Sequence, residues 1–530
     1  MNIAERRGAT DIPAMIDEAI PSLRPRVGWP EALILIATAL ELAVALFAHH
    51  FPYTDPTNHL ARYDLIARSW FGDPASYVYM HWVPTSYIAG DIVGALSVHF
   101  LGAVATLRLI NVASLVLLPL GMYLLLLHAA PAQRGWALIG VLFGFSSHLL
   151  FGYLNYALGL GLSFCWLALW YPRRENASWA ARLLLALGAM VLFLVHLTAP
   201  LFVLVVIFTD WGLSVIGDGE LRAPREWRMF NSRLPTILCV LVAVAIVWAG
   251  ASYSSWNDVG PEGEYIFRTP INKLLVFGSP FYSVSLVAAA VIAIGWLASF
   301  AAMLYARRGA YKLDSLSTSA IIMFVLYLIF PKSIPGAGAV DIRWLWGGYL
   351  LLFCARQRGA EREPGMLLLV PFAACVLHTA VIGYTAVKID RDLDQYEAAL
   401  THVPPGTNLL PIGDGVDMYG RVQVMRHFAL WHELKGHGRA PGLFNYKDAS
   451  DQDPLNHHLA HFVEPTHLYL ANSGWGLPDT MPRLPWQRID KEYDYILQTS
   501  GGTNVERDLS RHADPIWRDD PFVLYKVRKQ

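Results

Sequence analysis

Apolar runs long enough to cross a bilayer recur along this chain, and the basic residues between them fall into every second gap. A hydrocarbon layer about 30 Å thick needs about 20 mostly apolar residues per helical crossing. Runs approaching that length lie at 31–49, 106–128, 136–152, 155–171, 182–197, 199–215, 234–251, 284–305, 316–331, 344–356 and 366–386. Arg134 lies in the second gap, Arg173, Arg174 and Arg182 in the fourth, and Arg222, Arg225, Arg228 and Arg233 in the sixth. Arg307, Arg308 and Lys312 fill the eighth, and Arg356, Arg358 and Arg362 the tenth. Together with Arg6, Arg7, Arg24 and Arg26 they belong to one face, which the positive-inside rule makes cytoplasmic. The pattern predicts an α-helical polytopic protein of a bacterial inner membrane, with about eleven transmembrane helices and a cytoplasmic N-terminus.

Composition agrees with this reading. With 55% hydrophobic and 16% charged residues over 530 positions, the chain is too apolar for a soluble protein of its size. The net charge of −1 hides the sidedness, and no Arg/Lys stripe points to nucleic acid. Cys165, Cys239, Cys354 and Cys375 all fall in apolar runs, so no disulfide framework is expected. The first apolar run lacks a small-residue cleavage pattern and is expected to stay as a signal-anchor helix.

Three parts follow: a cytoplasmic segment, 1–30; a transmembrane domain, 31–386, including a long outer loop, 50–105; and an extracytoplasmic domain, 387–530, periplasmic in a Gram-negative bacterium. Within the outer loop, 87–101 is apolar but short and carries Asp91 and His99, so it is expected as an interfacial helix. Counting it as a span would put the arginine clusters outside. In the last part, β-type runs at 408–412, 493–498 and 522–527 alternate with helical stretches near 387–402 and 418–435, which predicts a small α/β domain. Pro404, Pro405 and Gly406 mark the turn before its first strand.

Polar residues that could carry chemistry collect at the outer face once this topology is imposed. Asp55 is the first acid beyond the first span, in the run 51–62. Asp55 before Pro56 could be only a helix N-cap. A helix starting there, however, sets Asp55, His59 and Arg62 along one side, more than a cap requires. On the same face stand His148, then Tyr153, Asn155 and Tyr156 in the turn after the third run, His196 between the fifth and sixth, and Lys332, Asp341 and Arg343 between the ninth and tenth. One acid among several cations at the outer leaflet suits a lipid-linked phosphate.

A retained first span, a long outer loop opening on an acid and holding juxtamembrane helices, many further spans and an outer α/β domain together resemble the GT-C superfamily of integral-membrane glycosyltransferases. The resemblance covers the whole chain and rests on architecture more than on motif. It implies transfer of a sugar from a polyprenyl-phosphate donor to a periplasmic lipid or glycan acceptor, with Asp55 as the catalytic carboxylate. His59, Arg62, His148, Asn155, His196, Lys332 and Arg343 are then candidate substrate-binding residues, Arg343 first for the departing phosphate. The family more often has adjacent acids, whereas Asp64 is the next acid here. A divalent metal is compatible with the resemblance, but no spacing indicates one.

Two rivals remain at this level. Glu41, inside the first span, would suit a transporter, although repeat symmetry is missing. The other is a GT-C-shaped assembly partner without catalysis. In the last part, His432 and His437 are five apart rather than four, which misses the zincin pattern. His457, His458 and His461 could share a helical face but lack an acidic partner by spacing.

Overall fold

The computed structural model of the chain describes residues 28–50, 52–72, 78–80, 86–216, 223–256, 265–306, 314–334, 338–355, 364–412, 419–440, 460–462, 486–499 and 503–529. The basic residues of the N-terminus and of the eighth and tenth gaps lie outside the described residues, as do Arg222, His457 and His458.

Among the described residues five helices are long and apolar enough to cross a membrane: Trp29–Phe47, Ala103–Ala129, Leu154–Arg173, Leu286–Ala306 and Gly365–Leu400. Four shorter apolar helices, Trp179–Val195, Thr198–Ser214, Arg233–Ala249 and Ser315–Ile329, occupy further expected spans. Their faces are divided as a lipid-facing bundle requires. On the 179–195 helix Leu183, Leu187 and Val191 are exposed at four-residue spacing, while Leu185, Ala189 and Leu192 are buried.

Two expected spans take another form. The run 136–152 breaks into a 3-10 turn, Pro131–Ala137, and the short helices Leu138–Leu142 and Ser147–Leu150. Its side chains are almost wholly buried, and irregular backbone at membrane depth is tolerated only where protein covers it. Glycine explains the close packing: a Cβ at Gly140 would lie 2.8 Å from the Pro119 Cα, and one at Gly144 would run into the buried Glu41 carboxylate. The run 344–356 forms only a 12-residue helix, Arg343–Cys354, about 18 Å long and too short to cross alone.

Among the described residues, ion pairs tie arginines of the second and sixth gaps to nearby acids. Arg134 Nε lies 2.6 Å from Glu31 Oε1 at the start of the first span. Arg233 of the sixth gap reaches Asp210 Oδ2 at 2.7 Å and Glu175 Oε1 of the fourth at 3.4 Å. Asp55 follows the opposite end of the first span.

At that opposite end the outer loop forms two helices, Pro56–Phe71 and Ile88–Leu101. The second buries Asp91, Gly94, Ala95 and Val98 and exposes Val93, Leu96 and Phe100. The last long apolar helix runs unbroken as Leu369–Leu400 into the C-terminal part of the chain. There a four-stranded sheet has the order 409–412, 495–498, 522–527, 513–519, with the first pair parallel and the others antiparallel. Strand alternation splits its core. Leu410, Ile496, Val523 and Tyr525 face Ile489 and Leu509, whereas Leu409, Leu497, Phe522 and Leu524 face Leu393, Tyr396 and Leu400 of the long helix. The helix expected near 418–435 is confined to Trp431–Gly436 after a 3-10 turn. His461 sits in a strand, Ala460–Phe462, paired antiparallel with Val78–Met80, rather than in a helix.

Candidate active site

Asp55 takes the N-cap position of the 56–71 helix, with Pro56 at its first turn, yet its side chain makes no capping hydrogen bond. The carboxylate, 14% exposed, instead has His427 Nε2 of the C-terminal part of the chain 3.3 Å from its Oδ1. The Asn58 amide lies 3.4 Å from His427 Nδ1. With that amide donating, the imidazole proton sits on Nε2, toward Asp55. Backbone contacts fix the place of the acid. Thr54 N donates to Leu150 O at 3.0 Å, and Gly152, at φ +82°, lies where a Cβ would come 2.6 Å from the Asp55 Cβ. Only glycine meets both conditions at 152.

Asp55 opens on a cavity of about 430 Å³ lined also by His59, Arg62, Tyr87, Asp91, Tyr153, Asn155, Tyr156, His196 and Arg343. One turn along the helix, half-buried His59 is pushed below the usual imidazole range by burial, against the pull of Asp55 and Asp91. Arg62 makes a bidentate pair with Asp91, Nε to Oδ1 at 2.9 Å and Nη2 to Oδ2 at 2.8 Å, and both side chains are buried. Its Nη1 keeps no hydrogen-bond partner among the described residues.

Across the cavity His196 terminates the 179–195 helix. Its Nδ1 accepts from Thr198 N at 3.1 Å and lies 2.8 Å from Thr198 Oγ1, leaving Nε2 toward the Tyr87 hydroxyl at 3.3 Å. Burial and the nearby Arg343 hold His196 well below the usual imidazole range, so it is neutral. Tyr87 reaches it from a left-handed backbone, φ +82°, a conformation that costs on the order of 1–3 kcal/mol and clusters at functional sites.

The charge of Arg343 is left open by its neighbours. Asp341, fully buried, accepts from Arg268 Nε at 2.9 Å, Lys273 Nζ at 2.8 Å and Ile342 N at 2.9 Å. Lys273 also donates to Tyr327 O and Phe330 O. Two residues on, Arg343 makes no ion pair with any described acid; its guanidinium stands 5.6 Å from the Tyr153 ring centre, and the Tyr156 hydroxyl donates to its carbonyl at 2.6 Å. Burial, with Asp55 close by, pushes the Tyr153 phenol up to about 12, so it stays a hydroxyl.

Six of the eight residues singled out from sequence therefore share this cavity: Asp55, His59, Arg62, Asn155, His196 and Arg343. His148 and Lys332 do not line it. His148 is buried behind it, 2.6 Å from Ser146 Oγ and against the Tyr156 and Trp346 rings. Lys332 serves the backbone, its N–H donating to Ile266 O and its carbonyl accepting from Val340. Sequence reasoning missed His427, Tyr87, Arg268 and Lys273; each meets its partner only through tertiary contact. Among the lining residues no cluster of metal-ligand type is present.

No protein-family model and no curated protein matches the sequence. Solved structures do match in shape. ArnT from Cupriavidus metallidurans in the apo state superposes with a TM-score of 0.52 at 12% identity, covering 94% of this chain and 98% of that one. ArnT from the same organism bound to undecaprenyl phosphate gives 0.50 at 13% identity with the same coverage. Across nearly its whole length the chain shares the fold of these two ArnT structures.

Proposed function

We propose that the chain is a membrane glycosyltransferase that moves a sugar from a polyprenyl-phosphate carrier to a lipid or glycan acceptor on the extracytoplasmic side. The observation that carries this reading is one cavity holding both a carboxylate released from helix capping and a guanidinium with no acid partner among the described residues. Binding of undecaprenyl phosphate by the similarly folded ArnT adds support.

The chemistry follows from those two groups. An acceptor hydroxyl oxygen attacks the anomeric carbon, the bond from that carbon to the phosphate oxygen breaks, and the electron pair leaves with the lipid phosphate. Asp55 takes the hydroxyl proton, a contribution of about 10²–10⁴ in rate. Arg343, helped by the free Nη1 of Arg62, meets the charge that grows on the phosphate. His59, Asn155 and His196 supply neutral polar contacts for the sugar, and the Tyr87 and Tyr153 rings give it apolar faces. His148 acts from behind through its contact with the Tyr156 ring, and Lys332 through its backbone pairing with Ile266 and Val340.

The test uses the full chain in lipid nanodiscs. Asp55→Asn should lower sugar transfer from a polyprenyl-phosphate donor by roughly 10²-fold or more while undecaprenyl phosphate still binds. Arg343→Ala should weaken that binding about tenfold or more, the worth of a charged hydrogen bond. Transfer by Asp55→Asn at the wild-type rate would exclude the proposal.

A further inference from the structure

We propose that His49, His50, Asp394 and Glu397 form a divalent transition-metal site of the zinc class, separate from the cavity of Asp55. The site arises where the first span ends. Ala48 leaves the helix in an extended conformation, ψ 132°, and turns the two histidines toward the outer part of the 369–400 helix. Asp390, Asp394 and Glu397 follow one another there at helical spacing, on one side. Asp390 accepts both backbone amides, from His49 N at 3.1 Å and His50 N at 2.6 Å, which anchors the turn over Asp394.

The next turn then collects imidazoles. His49 Nδ1 lies 2.9 Å and His50 Nε2 3.0 Å from the same oxygen, Asp394 Oδ1. Glu397 Oε2 is 3.5 Å from His50 Nε2, and the ligand atoms of His49, His50 and Asp394 all fall within 4.8 Å of one another. Zinc bonds of about 2.0–2.2 Å in a tetrahedron place ligand atoms roughly 3.3–3.5 Å apart, so the observed spread brackets what the ion needs. Two imidazoles and two carboxylates suit a borderline metal rather than calcium or magnesium, which prefer oxygen.

The surroundings fit a held ion. The His50 side chain is only 4% exposed, whereas His49 and Asp394 are open at 62% and 55%, giving a rigid inner ligand and an entry path. Lys435 binds the other Glu397 oxygen and leaves Oε2 for the site. Phe428 closes the inner side edge-on to His50, with ring centres 5.2 Å apart. A bound ion would tie the start of the outer loop to the outer domain.

The test is zinc titration of the full chain, stripped by chelator, in detergent, with cobalt(II) as a visible-absorption probe. The wild type should bind one equivalent, melt higher with zinc, and give the strong visible band of tetrahedral cobalt. His49→Gln with Asp394→Asn, both surface positions checked by gel filtration, should weaken binding at least tenfold and abolish the band. Replacing His457, His458 and His461 by Asn should leave both intact. Equal binding by the wild type and the His49→Gln/Asp394→Asn variant, or loss of binding only in the triple-histidine variant, would overturn the site.

Discussion

Gly152→Ala tests whether the turn after the third apolar run sets the position of Asp55. At φ +82° an alanine would pay about 1–2 kcal/mol for the left-handed backbone. Its Cβ would also start 2.6 Å from the Asp55 Cβ and 2.7 Å from the Asp55 N, so ordinary contact needs a retreat of nearly an ångström. Overpacking of that kind typically adds about 1–3 kcal/mol, and a catalytic group displaced by about 1 Å loses on the order of 10²-fold in rate. Gly72 supplies the control. It too has positive φ, +109°, but a Cβ there would meet nothing within 4 Å, so Gly72→Ala carries the backbone cost alone. Thermal melting in detergent and sugar transfer should be measured on both variants. Gly152→Ala should melt well below Gly72→Ala and transfer far more slowly. Equal melting and equal turnover in the two would refute the claim that Gly152 is needed for close approach to Asp55.

Asp341→Asn should destabilise the protein by about 3–5 kcal/mol, because Arg268 and Lys273 would be left facing a neutral amide in a buried site; denaturant unfolding should show the loss, and adding Lys273→Met should recover part of it. The pH dependence of stability should carry the mark of His196. Folded His196 stays neutral while the unfolded chain takes up a proton, so its contribution is intact above about pH 6.5 and is lost as pH falls below that value, by at most about 1.4 kcal/mol per unit. His196→Asn, which keeps an acceptor toward Thr198, should flatten the acid limb of a melting-temperature profile; a variant whose profile runs parallel to the wild type would contradict this.

Much of the architecture was legible because burial in lipid demands long apolar runs. Where protein rather than lipid covers the backbone that demand lapses, so 136–152 read as a span although Gly140 and Gly144 let it break and pack inside. The candidate site was legible where its residues stand in short segments close in sequence. Asp55, His59 and Arg62 share one helix, and the Tyr153 to Tyr156 turn lies beside it. Pairing was not legible. Lys332, Asp341 and Arg343 looked like one charged group, but Asp341 takes Arg268 and Lys273 from another segment, and Lys332 stays outside the cavity. His427 lies 369 residues beyond its partner Asn58, and the sheet packed on the long helix has no local signal for that contact. The His49, His50 and Asp394 cluster escaped for the same reason, its ligands standing 345 and 344 positions apart.

The unbroken 369–400 helix makes the two layers mechanically one piece. Its 32 residues span about 48 Å, and with no joint between the helical bundle and the sheet any roll of the strut is passed on to the strands packed against Tyr396 and Leu400. Because the imidazole beside Asp55 belongs to that seated outer layer, cutting the chain after its last crossing would yield a fragment that still inserts but carries its acid unescorted.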